Sequence, residues 1–170
     1  KTTGEKFMQL TKANYFIGHE SGQQLNNGLY NSTMGYQSGY SITGGESNSF
    51  IGYQSGFNTN TGTGNLFLGY QSGYTNQSGN YNSFLGYLAG FSNDTGVFNT
   101  FLGSFSGYHN TAGNNNTFVG DSTGFYNDSG DYNTFVGTGS GRSNIDGEAN
   151  LFIGNKAGYS NTTGYKNIFL

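Results

Sequence analysis

The chain has no cysteine, which excludes a disulfide frame and thiolate metal sites and leaves its redox compartment open. Charge is scarce too: charged residues make up 9% of 170, with six Lys and Arg and a net charge of -3. No basic face for nucleic acid is available on that basis. No apolar run approaches the ~20 residues of a membrane span. The chain opens on Lys1 with no signal peptide, so it reads as a piece of a longer protein. The apolar share is only 32% even with Tyr counted, while Gly, Asn, Ser and Thr dominate. Composition alone would favour a disordered or low-complexity chain.

Periodicity overrules that reading. The stretch "NSFLGYLAGFSNDTG" beginning at Asn82 returns 17 residues later as "NTFLGSFSGYHNTAG". Glycines run from Gly18 to Gly154, from Gly22 to Gly158 and from Gly28 to Gly164, each series in steps of 17 without insertion or deletion. Asn recurs from Asn14 to Asn167, and two residues later stands Phe, from Phe16 to Phe169, with Thr33 the one exception. Ile, Leu, Val or Met follows, from Ile17 to Leu170. The unit is N-x-F-[ILVM]-G-x-x-[SAT]-G plus a polar run with a further Gly. Residues 1-13, KTTGEKFMQLTKA, form a lead-in or a connection to a preceding domain, and 14-170 form the repeat domain.

A helix fits poorly, because each unit carries three glycines, each costing about 1 kcal/mol in a helix interior. The run N-[ST]-F-[IL], closed by Gly, reads as a short strand and turn, and [SAT]-G-[YF] as a second short strand or a corner. The fold class expected is all-β: a parallel β-roll or β-solenoid of 17-residue coils, about nine of them. At about 4.8 Å per coil the rod is roughly 40 to 45 Å long. Glycines mark corners or close backbone approaches, and the recurring Asn stacks as an amide ladder. Neighbouring strand residues face opposite sides, so Phe84 and Leu85 cannot both enter one coil interior unless the strand bulges. Without a bulge, one column forms an apolar stripe along the rod, larger than a soluble monomer usually exposes. Three rods packed stripe to stripe would bury it.

The unit resembles the head repeats of YadA-like trimeric autotransporter adhesins, N-S-V-A-I-G-x-x-S-x-A. It is still more similar to the "NTFLGYQAG" repeats of trimeric fibre proteins on phage tails and bacterial surfaces. The resemblance covers Asn14 to Leu170 and implies a left-handed parallel β-roll, a homotrimer and attachment to another surface. It also implies an extracellular, cell-surface or virion location, with a host or prey surface glycan or protein as partner. The period of 17 is longer than the adhesin one, the Asn-to-Gly distance is one residue less, and Phe replaces Val. Those departures weaken any transfer of binding specificity.

Catalysis finds little material, and no enzyme, cofactor or metal is expected. His19 and His109 are 90 residues apart at different phases of the repeat, without a triad or metal pattern. His19 beside Glu20 reads as a solvated corner. Asp94, Asp128, Asp131 and Asp146 are ordinary turn formers; the position of Asp146 holds Asn27, Thr61, Ser78 and Ala112 in other copies, which does not support a calcium roll. Sequons such as Asn76-Gln77-Ser78 and Asn93-Asp94-Thr95 are expected by chance in such a composition. The candidate ligand site is an incomplete column, Tyr36, Tyr53, Tyr70 and Tyr87, flanked by Gln37, Gln54 and Gln71. Its flat, polar-tipped rings suit sugar, or they cover a corner or a seam between chains. The aromatic column Tyr40, Phe57, Tyr74, Phe91, Tyr108, Phe125 and Tyr159, interrupted by Gln23 and Arg142, packs coil on coil. The leading function is a non-enzymatic structural or adhesive segment of a trimeric surface fibre. The alternatives are glycan or receptor binding through the tyrosines and, less favoured, ice binding. Ice binding would want paired Thr columns, and the position before Phe holds Tyr15, Ser32, Leu66, Thr100 and Leu151.

Overall fold

The computed structural model describes residues 8–11 and 13–170; the rest of the expected lead-in, residues 1–7 and Lys12, lies outside the described residues. Every element is a short strand. The first, β1 (Met8–Leu10), pairs antiparallel with β2 (Tyr15–Ile17) and closes one end of the sheet. From β2 onward the strands run parallel in sequence order to β11 (Ile168–Phe169). Register never slips: Phe67 pairs with Phe84, Phe84 with Phe101 and Phe101 with Phe118, always one repeat apart. The chain is therefore a parallel β-solenoid of about nine coils.

Each coil holds one strand, not two. The [SAT]-G-[YF] segment is a turn, because Gly73 (φ +60°) within it and Gln71 (φ 50°) just before it are left-handed, which an extended strand does not allow. Hydrogen bonds between coils nonetheless continue through the turns. Gly86 N–H donates to Leu68 O at 2.9 Å, Leu88 to Tyr70 O at 2.9 Å, Gly90 to Ser106 O at 2.9 Å and Ser92 to Tyr108 O at 3.0 Å. Such pairing all around the coil satisfies turn amides that would otherwise be buried without partners.

The strands alternate as expected, with no bulge. In Leu66–Leu68 the middle Phe67 is fully buried while both flanks face out. The phenylalanines stack ring on ring with centroids 4.7 to 4.9 Å apart from Phe50 to Phe169. Burying each ring contributes about 1.5–3 kcal/mol. In the [SAT] column the hydroxyls turn inward: Ser72 Oγ donates to Phe84 O at 2.9 Å and Ser106 Oγ to Phe118 O at 3.1 Å, tying each turn to the next coil's strand.

The Asn ladder exists: amide donates to amide as expected near both ends, as from Asn48 Nδ2 to Asn31 Oδ1 at 3.0 Å and from Asn150 Nδ2 to Asn133 Oδ1 at 3.1 Å, and backbone bonds join it throughout. Asn82 Oδ1 accepts the backbone N–H of Asn99 at 2.9 Å, and Asn82 Nδ2 donates to Gly96 O at 2.7 Å, fastening the start of a coil to its end. A second amide-to-amide ladder stands in a column that periodicity did not single out. There Nδ2 of Asn93, Asn110, Asn127, Asn144 and Asn161 donates to Oδ1 one coil back at 2.6 to 2.8 Å. Asn76 and Asn93, which open the two sequons, are fully buried members of it and closed to glycosylation in the folded chain.

Core volume is conserved by exchange between columns. Where Thr33 replaces Phe, the second Asn column supplies the buried Ile42 instead of an amide. Both side chains converge on Gly39, at which a Cβ would lie 2.7 Å from Ile42 Cδ1 and 3.0 Å from Thr33 Cγ2.

Candidate functional site

Tyr36, Tyr53, Tyr70 and Tyr87 stand in file on the turn after the first glycine column, nearly parallel and 5.1 to 5.2 Å apart between centroids. Sequence reading missed both ends of the file. His19 stacks on Tyr36 at 5.4 Å, and Phe105 meets Tyr87 edge-on at 74°. His19 is thus half-buried in the file, with Nε2 3.5 Å from Glu20 Oε1, rather than a solvated corner. Stacking covers the ring faces with other rings, so edges and hydroxyls point outward.

Beside the rings, Gln54 Nε2 donates to Gln37 Oε1 and Gln71 Nε2 to Gln54 Oε1, both at 2.8 Å, while Gln37 Nε2 reaches Glu20 Oε2 at 2.6 Å. These glutamines sit at positive φ, 50° to 51°. Every non-glycine residue with positive φ among the described residues belongs either to this column or to the one containing Tyr30, Tyr81, Phe98 and Tyr132. A left-handed L-residue costs roughly 1–2 kcal/mol. Ladder hydrogen bonds and stacking, including Tyr81 on Phe98 at 5.2 Å, offset it. Nothing in residue type signals these positions, since Leu88, Phe105 and Lys156 share the glutamine column.

The long aromatic column packs as expected, Tyr40 through Phe125 at 5.0 to 5.2 Å. Arg142 continues it, its guanidinium 4.9 Å from the centroid of Phe125, 5.1 Å from Tyr126 and 5.8 Å from Tyr159. Next to it His109 is boxed by rings: edge-on to Tyr108 at 4.7 Å and Phe125 at 5.1 Å, and stacked on Tyr126 at 5.4 Å. Burial holds the His109 imidazole below its ordinary pKa, and the Asp128 carboxylate opposes part of that shift.

Among the described residues there is no group of three or more His, Cys, Asp and Glu placed to hold a metal. Among the described residues no helix is long and apolar enough to cross a membrane. The chain matches no protein-family model, no curated protein and no solved structure.

The outward strand face is the other conspicuous surface. Ile17, Met34, Ile51, Leu68, Leu102 and Ile153 are each 40–47% exposed, in one file along the rod. Leu85, Val119 and Val136 complete it, half-buried.

Proposed function

We propose that this chain is a non-enzymatic structural and adhesive segment of a trimeric fibre at a cell or virion surface. Three left-handed rods pack strand face to strand face about a common axis and hold an attachment head away from its anchor. The observation that carries this reading is the aliphatic file on the outer strand face. Nine coils present it in register, a continuous apolar band of a size soluble monomers rarely leave in water. Its occupant is a second and third copy of the same file, since only a partner with the same period keeps contact along the whole length. Three equivalent surfaces then give avidity without any strong single site.

Light scattering tests it: the expected solution mass is three chains of 18.2 kDa. Leu68→Lys with Leu102→Lys, both outward-facing, is expected to yield folded single chains. A wild-type chain of single-chain mass at every concentration overturns the reading.

A second reading takes Tyr36, Tyr53, Tyr70 and Tyr87 with Gln37, Gln54 and Gln71 as a glycan or receptor site. It is supported by the outward hydroxyl edges of the file and would act through them rather than through ring faces. Glycan-array binding that disappears when the four tyrosines become alanine would favour it. Ice binding gains no support, because the outward column before Phe mixes Tyr15, Ser32, Leu66 and Thr100.

A further inference from the structure

Outside each buried Phe stand two columns, not one. The aliphatic file follows the Phe, and the residue before it faces outward too, as Leu66 does beside Leu68. At the N-terminal end β1 extends both files: Met8 pairs with Ile17 and Leu10 with Tyr15, and Met8 and Leu10 are 59% and 56% exposed. Ten residues in each file and these two make 22 outward side chains per chain. That falls within the ~20–30 per side that a stable interface uses.

The two files are complementary in size. Ser32 stands beside Met34, Ser49 beside Ile51 and Ser83 beside Leu85, while the smaller Val119 and Val136 stand beside Thr117 and Thr134. Leu66 with Leu68 and Leu151 with Ile153 depart from this exchange, being large on both sides. Where the first file is smallest it leaves a recess. Ser32 and Ser49, between Tyr15 and Leu66 in their file, open a hollow of about 250 Å³ with chiefly apolar walls that include Tyr15, Met34 and Ile51. Water against such walls is unfavourable, and an apolar occupant removes that cost.

We propose that this recess receives Met34 and Ile51 of a second copy, so that at each seam the aliphatic file of one chain lies against the Ser and Thr file of the next. The inference rests on the trimer reading and says how its faces mate. Three copies around an axis have no two-fold between neighbours, so each contact is heterologous: one edge of the strand face meets the opposite edge of the next. Threefold symmetry keeps the copies at one height, which sets Ser32 opposite Met34 and Thr117 opposite Val119. The three aliphatic files still ring the axis. Small against large closes the seam to the density of a protein interior, whereas aliphatic against aliphatic alone would leave the recess at Ser32 and Ser49 unfilled.

Disulfide trapping tests it, and a chain without cysteine gives a clean readout. Ser32→Cys and Met34→Cys versions of the whole chain are co-expressed, oxidised and run on a non-reducing gel. The expected result is a disulfide-linked pair of chains in the mixture and in neither variant alone. Ser32→Cys with Leu102→Cys, four repeats on, is expected to give none. Ser49→Leu copies Leu66 of the next coil and fills the recess. It is expected to leave the fold intact and to raise the concentration needed for assembly roughly tenfold. Two results overturn this mating of files while the trimer stands: a three-chain wild type whose mixed variants link no better than the single ones, or Ser49→Leu assembling as readily as the wild type. A wild type of single-chain mass overturns both readings.

Discussion

Gly73 lies flat against the ring of Phe67: a Cβ at position 73 would sit 2.5 Å from both Cδ2 and Cε2 of that buried side chain, at a φ of +60°. Two costs therefore coincide in Gly73→Ala, left-handed strain and overpacking, together about 2–4 kcal/mol. Thermal or urea unfolding followed by circular dichroism is expected to show that loss. Gly139→Gln is the control. Position 139 is also left-handed, but a Cβ there meets nothing nearer than 3.5 Å, and Gln54 occupies the equivalent place at φ 51°. The expected change is under about 1 kcal/mol, since backbone strain is partly compensated by a less flexible unfolded chain.

Thr59 stands where the second Asn ladder begins, fully buried, with an Oγ1 that has no hydrogen-bond partner. Thr59→Asn supplies an Oδ1 for Asn76 Nδ2 and extends the ladder by one rung. A stabilisation of about 1 kcal/mol is expected from one added buried hydrogen bond. The opposite change, Asn110→Ala, removes the partner of both Asn93 and Asn127 and is expected to cost about 2–4 kcal/mol. Unfolding midpoints of the two variants should move in opposite directions.

Thr33 and Ile42 share the space that a Phe and a small polar residue fill in other coils. Thr33→Phe alone overfills the coil and is expected to destabilise by about 1–3 kcal/mol. Combining it with Ile42→Thr copies the Phe50 and Thr59 pairing of the next coil and should recover most of that loss. A double-mutant cycle reads the coupling; additive effects would mean that the two residues do not compete for volume.

The His109 imidazole titrates below the ordinary 6.5 because burial disfavours its charged form. The unfolded chain therefore takes up this proton first on acidification, so His109 contributes stability above pH 6.5 that is lost as pH falls through its lower folded value. His109→Ser, the residue at position 92 of the same file, is expected to flatten the fall in stability below that pH. Asp128→Asn removes the opposing charge and should lower the folded His109 pKa further, as read by imidazole NMR. A rise would mean that Asp128 is not the group that supports its protonation.

The Phe and aliphatic columns show how much was legible beforehand. Their adjacency puts them on opposite sides of any strand without a bulge, and the strict phase of Asn14 to Asn167 announces parallel stacking. The turns were less legible. The [SAT]-G-[YF] segment read as a second short strand or a corner, and left-handed Gln71 and Gly73 make it the corner. The Gln37, Gln54 and Gln71 file was visible as a column, though not as a left-handed amide ladder, because side chains from Leu88 to Lys156 occupy the same backbone state. Asn76 and Asn93 passed for chance sequons, since burial, not spacing, gives them their meaning. The surroundings of His109 were illegible for another reason: His109 lies a full repeat from Tyr126 and Asp128, and none of the three belongs to a complete column.

The amino-acid order by itself determined the period, the parallel register, and the opposition of ring and aliphatic columns, because each follows from residue types recurring at a fixed interval. Only the tertiary structure decided that Phe goes inward and the aliphatics outward, that one strand per coil suffices, and that His109 meets Tyr126 and Asp128 of the next coil. Those outcomes depend on the cross-section of the coil. Its interior accommodates one stacked ring per turn, and the left-handed backbone needed to close around that ring sets where every other side chain points.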